Sequence, residues 1–349
     1  MNNLWQKLTA SSLTKTILPI VLTLGIVGFL LTQISVTDVV NVFSNLSYDW
    51  IALGAFLYLI NNVGRALRLR VLLPNQSIPF YRLLLVVIIH TMFSNILPAK
   101  TGEFSLLYFL KKYETVSLDK SSAALVITRI MDYLATATIF IIVIWFSLGQ
   151  FSNALLATDV MIVVLGLMAL AIIALVSLVW WGERILTLFQ WLAKRLGVLS
   201  SPLVGFILKI LENVTEAFAA VRSFKRYFLA FLWSLCLWMT MFVRFYVLMR
   251  GIGLETKLLN TVIGSTFAVL SRSIPLITLG GIGTHEAGWT VGFMLVGFSK
   301  TQAITSGFAV NILTLLISIM LGMCCLWILR GEAPAKLARP VEQLSIKRP

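Results

Sequence analysis

The sequence has little charge for its length. Of its 349 residues, only 12% are Asp, Glu, Lys or Arg, whereas 59% are hydrophobic. A typical soluble domain carries about 25% charged residues, so this composition excludes a water-soluble globular protein. It predicts instead an all-α integral membrane protein that crosses the bilayer several times. No stretch between the apolar runs is long enough to form a separate soluble catalytic domain.

Histidine and cysteine are also scarce. The two histidines cannot form a His-Glu-His zinc motif, and Cys236, Cys324 and Cys325 have neither a metal-binding spacing nor a disulfide pattern. The glycine-rich stretch 280–283 lacks the Lys-Ser ending and the preceding strand of a nucleotide-binding loop. The sequence therefore predicts no metal and no cofactor.

The chain is nevertheless basic, with a net charge of +14. Because the cations lie between apolar runs, the pattern indicates the positive-inside rule and not a nucleic-acid-binding protein. The loop 35–49 has two aspartates and no cation, which places it outside the membrane. The resulting layout puts most of the 28 lysines and arginines in the cytoplasm and only Arg250, Lys257 and Lys300 outside. We therefore expect a multi-pass protein of the cell (inner or plasma) membrane with both termini in the cytoplasm.

Six apolar runs approach or exceed the roughly 20 residues that a spanning helix needs. They cover residues 17–34, 50–73, 122–148, 160–181, 227–249 and 303–329. Two further apolar stretches, 83–110 and 258–298, are each interrupted by a polar break. A break at membrane depth is tolerated only where protein buries it or where it lines a watery cavity. We predict that both stretches are re-entrant hairpins, the first opening to the cytoplasm and the second to the outside.

The two halves of the chain repeat these elements in the same order and in opposite orientation. The number of residues from Arg65 to Pro98 in the first half is similar to the number from Arg244 to Pro275 in the second half. Inverted repeats with broken helices are common in transporters, and their binding sites lie at the repeat interface. The predicted domains are a cytoplasmic N-terminus (1–16), a first membrane repeat (17–149), a second membrane repeat (150–330) that includes a cytoplasmic amphipathic segment (183–226), and a basic cytoplasmic tail (331–349).

Charged residues at membrane depth are the candidate functional residues. Each costs about 2.5–3.5 kcal/mol at the bilayer centre, so such residues usually pair or mark a site. Cations outnumber carboxylates among them, and the arginine fork suits phosphate oxygens. The residues assigned to binding an anionic headgroup are Arg65, Lys100, Arg244 and Arg272. Snorkelling to the interface explains Arg65 and Arg244 equally well at this point. Arg129 and Asp132, one helical turn apart, are predicted to form a structural ion pair.

The tips of the two hairpins carry a second group of candidates. Each tip places a glycine shortly before a glutamate. His285 lies beside the second glutamate, a position that favours a proton-linked role. The residues assigned to gating or to coupling with a proton are Pro98, Gly102 and Glu103 in the first hairpin, and Gly281, Gly283, His285 and Glu286 in the second.

Four motifs occur in a characteristic order along residues 15–330. They are Gly64–Arg68 with Leu72–Pro74, then Leu97–Glu103, then Thr128–Asp132, and finally Gly280–Gly283 with Glu286–Ala287. This order resembles the membrane flippase domain of the lysylphosphatidylglycerol synthase family, in its stand-alone form without the aminoacyl-transferase domain. The resemblance implies translocation of a lipid or lipid-linked headgroup between leaflets. Leu279, where a proline is expected, and Arg272 depart from the family pattern and weaken the case for a lysyl-lipid.

Two other functions remain open on the sequence alone. The protein could be a non-catalytic membrane partner that docks a lipid-modifying or glycosyl-transferring enzyme through segment 183–226. It could also be a membrane-embedded transferase, since carboxylates at a bilayer site can act on lipids. The sequence shows no recognisable set of catalytic residues, however. The expected partners are anionic membrane lipids, and a transporter is favoured over an enzyme.

Overall fold

The computed structural model describes residues 23–33, 35–44, 46–73, 78–147, 155–195, 223–273 and 282–331, with isolated positions between 197 and 216. Within these ranges the chain is helical and contains no strand. The predicted N-terminal segment 1–16, the tip residue Gly281 and residues 332–349 of the predicted tail lie outside the described residues. The prediction of an all-helical protein is confirmed.

The helices follow one another with short connections. In chain order they are α1 (Val36–Ser44), α2 (Tyr48–Leu72), α3 (Phe80–Ile96), a 3₁₀-helix (Pro98–Glu103), α4 (Phe104–Glu114), α5 (Leu118–Ser147), α6 (Leu155–Arg195), α7 (Phe224–Gly251), α8 (Leu258–Ser273), α9 (Thr284–Leu295) and α10 (Lys300–Gly331). A further helical stretch covers residues 23–31.

Four of the described helices, α2, α5, α7 and α10, are long and apolar enough to cross a membrane. Each begins and ends within a few residues of a predicted span, because its apolar run contains no proline to interrupt the helical hydrogen bonds. Helix α6 covers the predicted span 160–181, and the start of the first predicted span (17–22) lies outside the described residues. Helices α3 and α8 are apolar but shorter, and they occupy the first arms of the two predicted hairpins.

Helix α6 continues beyond the predicted end of its span. Its backbone is non-helical at Trp181 (φ −126°, ψ 19°), where the apolar run gives way to the polar residues that start at Glu183. The helix then continues to Arg195, whose guanidinium carbon lies 5.1 Å from the centre of the Trp191 ring. The start of the predicted amphipathic segment 183–226 therefore lies in α6 and its end in α7. Between them, only scattered positions are described.

Contacts divide the described chain into two compact units, and each takes residues from both halves of the sequence. The first unit contains the residues up to Val63, Phe80–Phe109 and Met239–Glu332. The second unit contains Gly64–Pro79 and Leu110–Trp238.

The first hairpin lies in the first unit and is closed by a close backbone contact. Leu97 is extended (φ −76°, ψ 141°), as expected for a residue before proline, so α3 ends and the chain turns at Pro98. A Cβ atom on Gly102 would lie 2.1 Å from the Phe93 carbonyl oxygen, a distance that no side chain permits. Ser105 Oγ, near the start of α4, lies 3.1 Å from His90 Nδ1 on α3. The chain therefore folds back directly onto α3.

The second hairpin, also in the first unit, pairs α8 with α9 through small residues. A Cβ atom on Gly292 would lie 2.1 Å from the Gly264 carbonyl oxygen, and one on Gly288 would lie 2.2 Å from Ser271 Oγ. Gly288 and Gly292 are four residues apart, which is the small-xxx-small spacing that allows helix backbones to touch within membranes. The connections at the two ends of the hairpin contain positive-φ glycines, Gly253 (φ +79°) and Gly297 (φ +95°).

Helix α10 packs on both hairpins of the first unit. Gly322 lies against Met92 of α3, and Gly307 lies against the Trp289 ring of α9. The glycines of α10 thus allow its neighbours a close approach. In the second unit, α5 contacts α6, and Gly64 of α2 lies against Leu237 of α7.

Candidate functional site

In the second unit, the buried carboxylate of Asp132 on α5 is bound by side chains from two other helices. Arg68 of α2 donates to both carboxylate oxygens, with Nη1 bonded to Oδ1 and Nη2 lying 3.3 Å from Oδ2. Trp238 Nε1 of α7 donates to Oδ1 at 3.1 Å. Arg68 Nη1 also donates to Ser234 Oγ of α7 at 2.6 Å. These four residues, the Asp132 cluster, connect three helices through one carboxylate.

Two further arginines act on the same carboxylate. Arg129 Nη1 lies 3.8 Å from Asp132 Oδ2, at the long end of an ion pair, and its side chain is 33% exposed. The charge of Arg65 on α2 also acts on Asp132. The predicted partners Arg129 and Asp132 are therefore close, but the shorter bonds to Asp132 come from Arg68. Arginine stays protonated in proteins, so the charge of Arg68 is permanent and favours an ionised carboxylate.

In the first unit, a second buried arginine is held between aromatic rings. Arg244 of α7 is 6% exposed, and its guanidinium carbon lies 5.1 Å from the Tyr58 ring centre and 5.2 Å from that of Phe245. Such stacking contributes about 2 kcal/mol where water is excluded. The Tyr58 hydroxyl donates to Ser318 Oγ of α10 at 2.8 Å, and Asn95 Nδ2 of α3 donates to the same oxygen at 3.1 Å. Polar contacts therefore connect the Tyr58 ring beneath Arg244 to the end of α3, next to the first hairpin tip.

At the second hairpin tip, Glu286 is almost completely buried, at 1% exposure. The backbone N–H of Gly283 donates to Oε2 at 2.6 Å, which satisfies one of the free donors at the start of α9. Asn311 Nδ2 of α10 donates to the other oxygen, Oε1. His285 Nδ1 lies 4.0 Å from Oε1. These four residues form the Glu286 cluster, which fastens the start of α9 to α10.

An aromatic row leads from this cluster toward Arg244. Trp289 is buried and its Nε1 donates to Ser306 Oγ of α10 at 3.0 Å. The His285 and Trp289 ring centres are 5.6 Å apart. The Trp289 and Phe245 rings meet edge to face, with their centres 5.4 Å apart. Since Phe245 also contacts Arg244, the first unit places Arg244 and Glu286 at the two ends of one row of rings.

The four residues predicted to bind a headgroup are divided between the units. Arg65 belongs to the second unit, whereas Lys100, Arg244 and Arg272 belong to the first. Lys100 lies on the 3₁₀-helix and Arg272 near the end of α8, and for both only the backbone is described. The same is true of Pro98, whereas Glu103, at the end of the 3₁₀-helix, is partly buried. No three His, Cys, Asp or Glu side chains are close enough to hold a metal in the described part of the chain.

Several residues of these clusters were not singled out by the sequence pattern. Arg68 lies one helical turn from Arg65 and therefore on the same face. That spacing was the available signal. Asn311 and Ser318 are polar residues inside a long apolar run, a position that generally indicates a functional or packing role. No local pattern indicates that Tyr58, Ser234 or Trp238 faces a charge.

The comparisons with known proteins give one match. The model of a family described as the lysylphosphatidylglycerol synthase TM region matches residues 16–322. No curated protein and no solved structure matches the chain.

Proposed function

This chain belongs to the family of the lysylphosphatidylglycerol synthase TM region, and from that membership we propose that it moves an anionic lipid or lipid-linked headgroup between the leaflets of the cell membrane. The observation that carries the proposal is the burial of arginines within apolar helices. Arg68 and Arg244 are 4% and 6% exposed, and both belong to helices apolar enough to span a bilayer. Buried charges at membrane depth are costly and usually serve substrate or ion pathways.

Arg68 and Arg244 have different environments, which supports different roles. Arg68 donates to both oxygens of Asp132, so it acts as a fixed structural cation. Arg244 is held by the faces of two rings, which orient its guanidinium. We assign Arg244 to the headgroup phosphate. Lys100 and Arg272 of the first unit, and Arg65 of the second unit, are proposed as further headgroup-binding residues. The acyl chains would stay in the bilayer while the headgroup passes through the protein.

The helix lengths support an inverted-repeat architecture of six spans and two re-entrant hairpins. Helices α2, α3, α4 and α5 have 25, 17, 11 and 30 residues. Helices α7, α8, α9 and α10 have 28, 16, 12 and 32 residues in the same order. The short second and third members of each set match the arms of a hairpin that enters and leaves on one side of the membrane.

The hairpin tips and the basic segment complete the proposal. Residues Pro98, Gly102 and Glu103 form the gate on the cytoplasmic side, and Gly281, Gly283, His285 and Glu286 form the gate on the outer side. Both termini lie in the cytoplasm. Segment 183–226 lies on the anionic cytoplasmic face of the membrane, as its cations favour, and offers a surface to a lipid-modifying enzyme if one is a partner.

The test is a leaflet-specific assay with the purified full-length protein in vesicles. A headgroup-labelled anionic phospholipid and its zwitterionic counterpart are compared in the wild type, Arg65→Ala and Arg244→Ala. A hydrogen bond to a charged group contributes about 1.5–3 kcal/mol, so each variant should slow movement of the anionic probe by about ten- to a hundredfold. Arg250→Ala is the matched control, because Arg250 lies on α7 with Arg244 but pairs at 3.6 Å with the exposed Glu255.

Normal movement of the anionic probe in both variants would refute the site assignment. Total lipid composition is measured separately, in cells with and without the protein. A covalently altered lipid would identify a transferase instead. Loss of function on charge reversal within 183–226, with Arg65→Ala harmless, would identify a docking partner.

A further inference from the structure

We propose that Tyr58 and Ser318 are positioning residues for Arg244, and that Asn95 couples their arrangement to the first hairpin. Tyr58, Asn95 and Ser318, which meet at the Ser318 hydroxyl, are called the Ser318 bridge. The inference deepens the proposed function, on which it rests only for the assignment of Arg244 to the headgroup phosphate. The positioning of Arg244 itself depends on contacts within the first unit.

The Ser318 hydroxyl joins three helices at one fully buried point. Ser318 lies on α10 and has no exposed surface. Its oxygen accepts hydrogen bonds from the Tyr58 hydroxyl of α2 at 2.8 Å and from Asn95 Nδ2 of α3 at 3.1 Å. A hydroxyl oxygen has two lone pairs, so it accepts both bonds at the same time. Because one atom serves both donors, a displacement of Ser318 by one of them changes its bond to the other.

The bond to Ser318 fixes the ring against which Arg244 packs. Tyr58 is buried, and its ring is held at one end by the backbone of α2 and at the other end by its hydroxyl group. The Arg244 guanidinium carbon lies 5.1 Å from the centre of this ring, and the attraction between a cation and a ring depends on the position of the cation over the ring face. The other ring, Phe245, is adjacent to Arg244 on α7. Tyr58 is therefore the ring that fixes Arg244 relative to α2.

Asn95 connects this arrangement to the first hairpin. It is the second-last residue of α3, and the chain turns at Pro98, three residues later. A guanidinium that is already held in place loses less freedom when a phosphate binds, so headgroup binding is favoured while the Ser318 bridge is intact. Coupling between two sites is reciprocal. A headgroup bound at Arg244 should therefore stabilise the end of α3 and slow amide exchange at the first hairpin tip.

A second hydrogen bond between α2 and α3 provides a matched control. Thr91 Oγ1 of α3 donates to Asn62 Oδ1 of α2 at 3.0 Å, one helical turn from Asn95. Thr91 and Asn62 are both buried. Their bond joins the same two helices as the Ser318 bridge but involves neither Ser318 nor the ring of Tyr58. Thr91→Val removes this bond with little change of shape, so it shows what the loss of any buried hydrogen bond between α2 and α3 does.

The first experiment measures the binding of spin-labelled phosphatidylglycerol, as the anionic probe, to the full-length protein in phosphatidylcholine nanodiscs by electron paramagnetic resonance. A neutral hydrogen bond changes an equilibrium by about two- to tenfold. Tyr58→Phe and Ser318→Ala should each weaken binding of the probe by about this factor, and Thr91→Val should leave it unchanged. Unlabelled phosphatidylglycerol should slow amide exchange in Pro98–Glu103 in the wild type and in Thr91→Val, but not in Ser318→Ala or Asn95→Ala.

The second experiment tests the positioning of Arg244 without the lipid probe. The free energy of unfolding is measured for Tyr58→Phe, Arg244→Ala and the double variant. Because the hydroxyl of Tyr58 acts on Arg244 through the ring, the two effects should depart from additivity by at least about twofold in the unfolding equilibrium. The matched pair, Thr91→Val with Arg244→Ala, should be additive.

Equal weakening of probe binding by Tyr58→Phe and by Thr91→Val overturns the proposal, because both bonds would then be merely structural. Slowed exchange in Ser318→Ala and Asn95→Ala overturns the coupling to the hairpin. If Ser318→Ala does not fold, Tyr58→Phe decides, since it removes a single oxygen atom.

Arg244→Ala separates the inference from the proposed function. Coupling of Tyr58 to Arg244 in the unfolding experiment, with probe binding unaffected by Arg244→Ala, refutes the headgroup assignment alone. Probe binding that Arg244→Ala weakens and Tyr58→Phe does not, together with additive effects on unfolding, refutes the positioning role alone.

Discussion

Removal of the negative charge from the Asp132 cluster is expected to destabilise the second unit strongly. The substitution Asp132→Asn leaves the buried Arg68 guanidinium without the carboxylate that accepts two of its hydrogen bonds. An uncompensated buried charge costs about 3–5 kcal/mol. That loss is a large fraction of the roughly 5–15 kcal/mol by which folded proteins are stable, so the variant should be partly unfolded under mild conditions.

Two smaller changes in the same cluster provide a reference for this loss of stability. Trp238→Phe removes one hydrogen bond to the carboxylate, and Ser234→Ala removes one acceptor from Arg68. Each costs about 1.5–3 kcal/mol because one partner is charged. The double variant Arg68→Met with Asp132→Leu removes both charges at once. It should be more stable than Arg68→Met alone, since no buried charge is left without its partner.

The measurement is the free energy of unfolding of the purified protein, from titration of mixed micelles with a denaturing detergent followed by circular dichroism. Glu255→Gln is the control, because its ion pair with Arg250 is exposed and such pairs contribute little. The reasoning fails if Asp132→Asn costs no more than Trp238→Phe. It fails equally if the effects of the two charge removals simply add.

The remaining predictions concern the close backbone contacts of the two hairpins. Gly292→Ala places a methyl group 2.1 Å from the Gly264 carbonyl oxygen, so α8 and α9 must separate, and protease cleavage within the second hairpin should become faster. Gly102→Ala places a methyl group 2.1 Å from the Phe93 carbonyl oxygen, so the first hairpin must open, and amide exchange around the 3₁₀-helix should become faster while the second hairpin keeps its protection.

Gly166→Ala and Gly331→Ala are the matched controls for both hairpin predictions. Neither added methyl group would meet an atom within 4 Å, and alanine favours a helix by about 1 kcal/mol over glycine. Both variants should therefore be as stable as the wild type or slightly more so. Unchanged proteolysis in Gly292→Ala, or unchanged exchange in Gly102→Ala, would show that the backbone contacts described here are absent in the membrane.

The helices were predictable from the sequence because long apolar runs without proline have few alternatives in a membrane. The turn at Pro98 was also predictable. Proline has no backbone N–H and restricts the residue before it, so α3 ends there. The role of Gly102 was only half predictable. Its position at a hairpin tip follows from the interrupted run, whereas its contact with Phe93 depends on how the two arms pack.

The partners of the buried charges were not predictable, because they come from distant parts of the chain. Arg68 and Asp132 are 64 residues apart in sequence. The local pattern favoured Arg129 because it lies on the same helix as Asp132. Glu286 was recognisable as a charge at a hairpin tip, but Asn311 is one of many residues in a long apolar helix, and only the packing of α9 on α10 identifies it as the partner.

The contact between the backbones of α8 and α9 has a mechanical consequence. Glycine has no side-chain rotamers to lose, so the pairing costs little side-chain entropy, and at Gly292 the two backbones are in direct contact. The hairpin should therefore move as one rigid body. Bending is concentrated at its ends, where Gly253 and Gly297 adopt backbone angles that other residues rarely reach. A rotation of the hairpin about these ends would carry Glu286 away from Asn311 in a single step. Release of the hairpin tip and exposure of the carboxyl group would then be the same event.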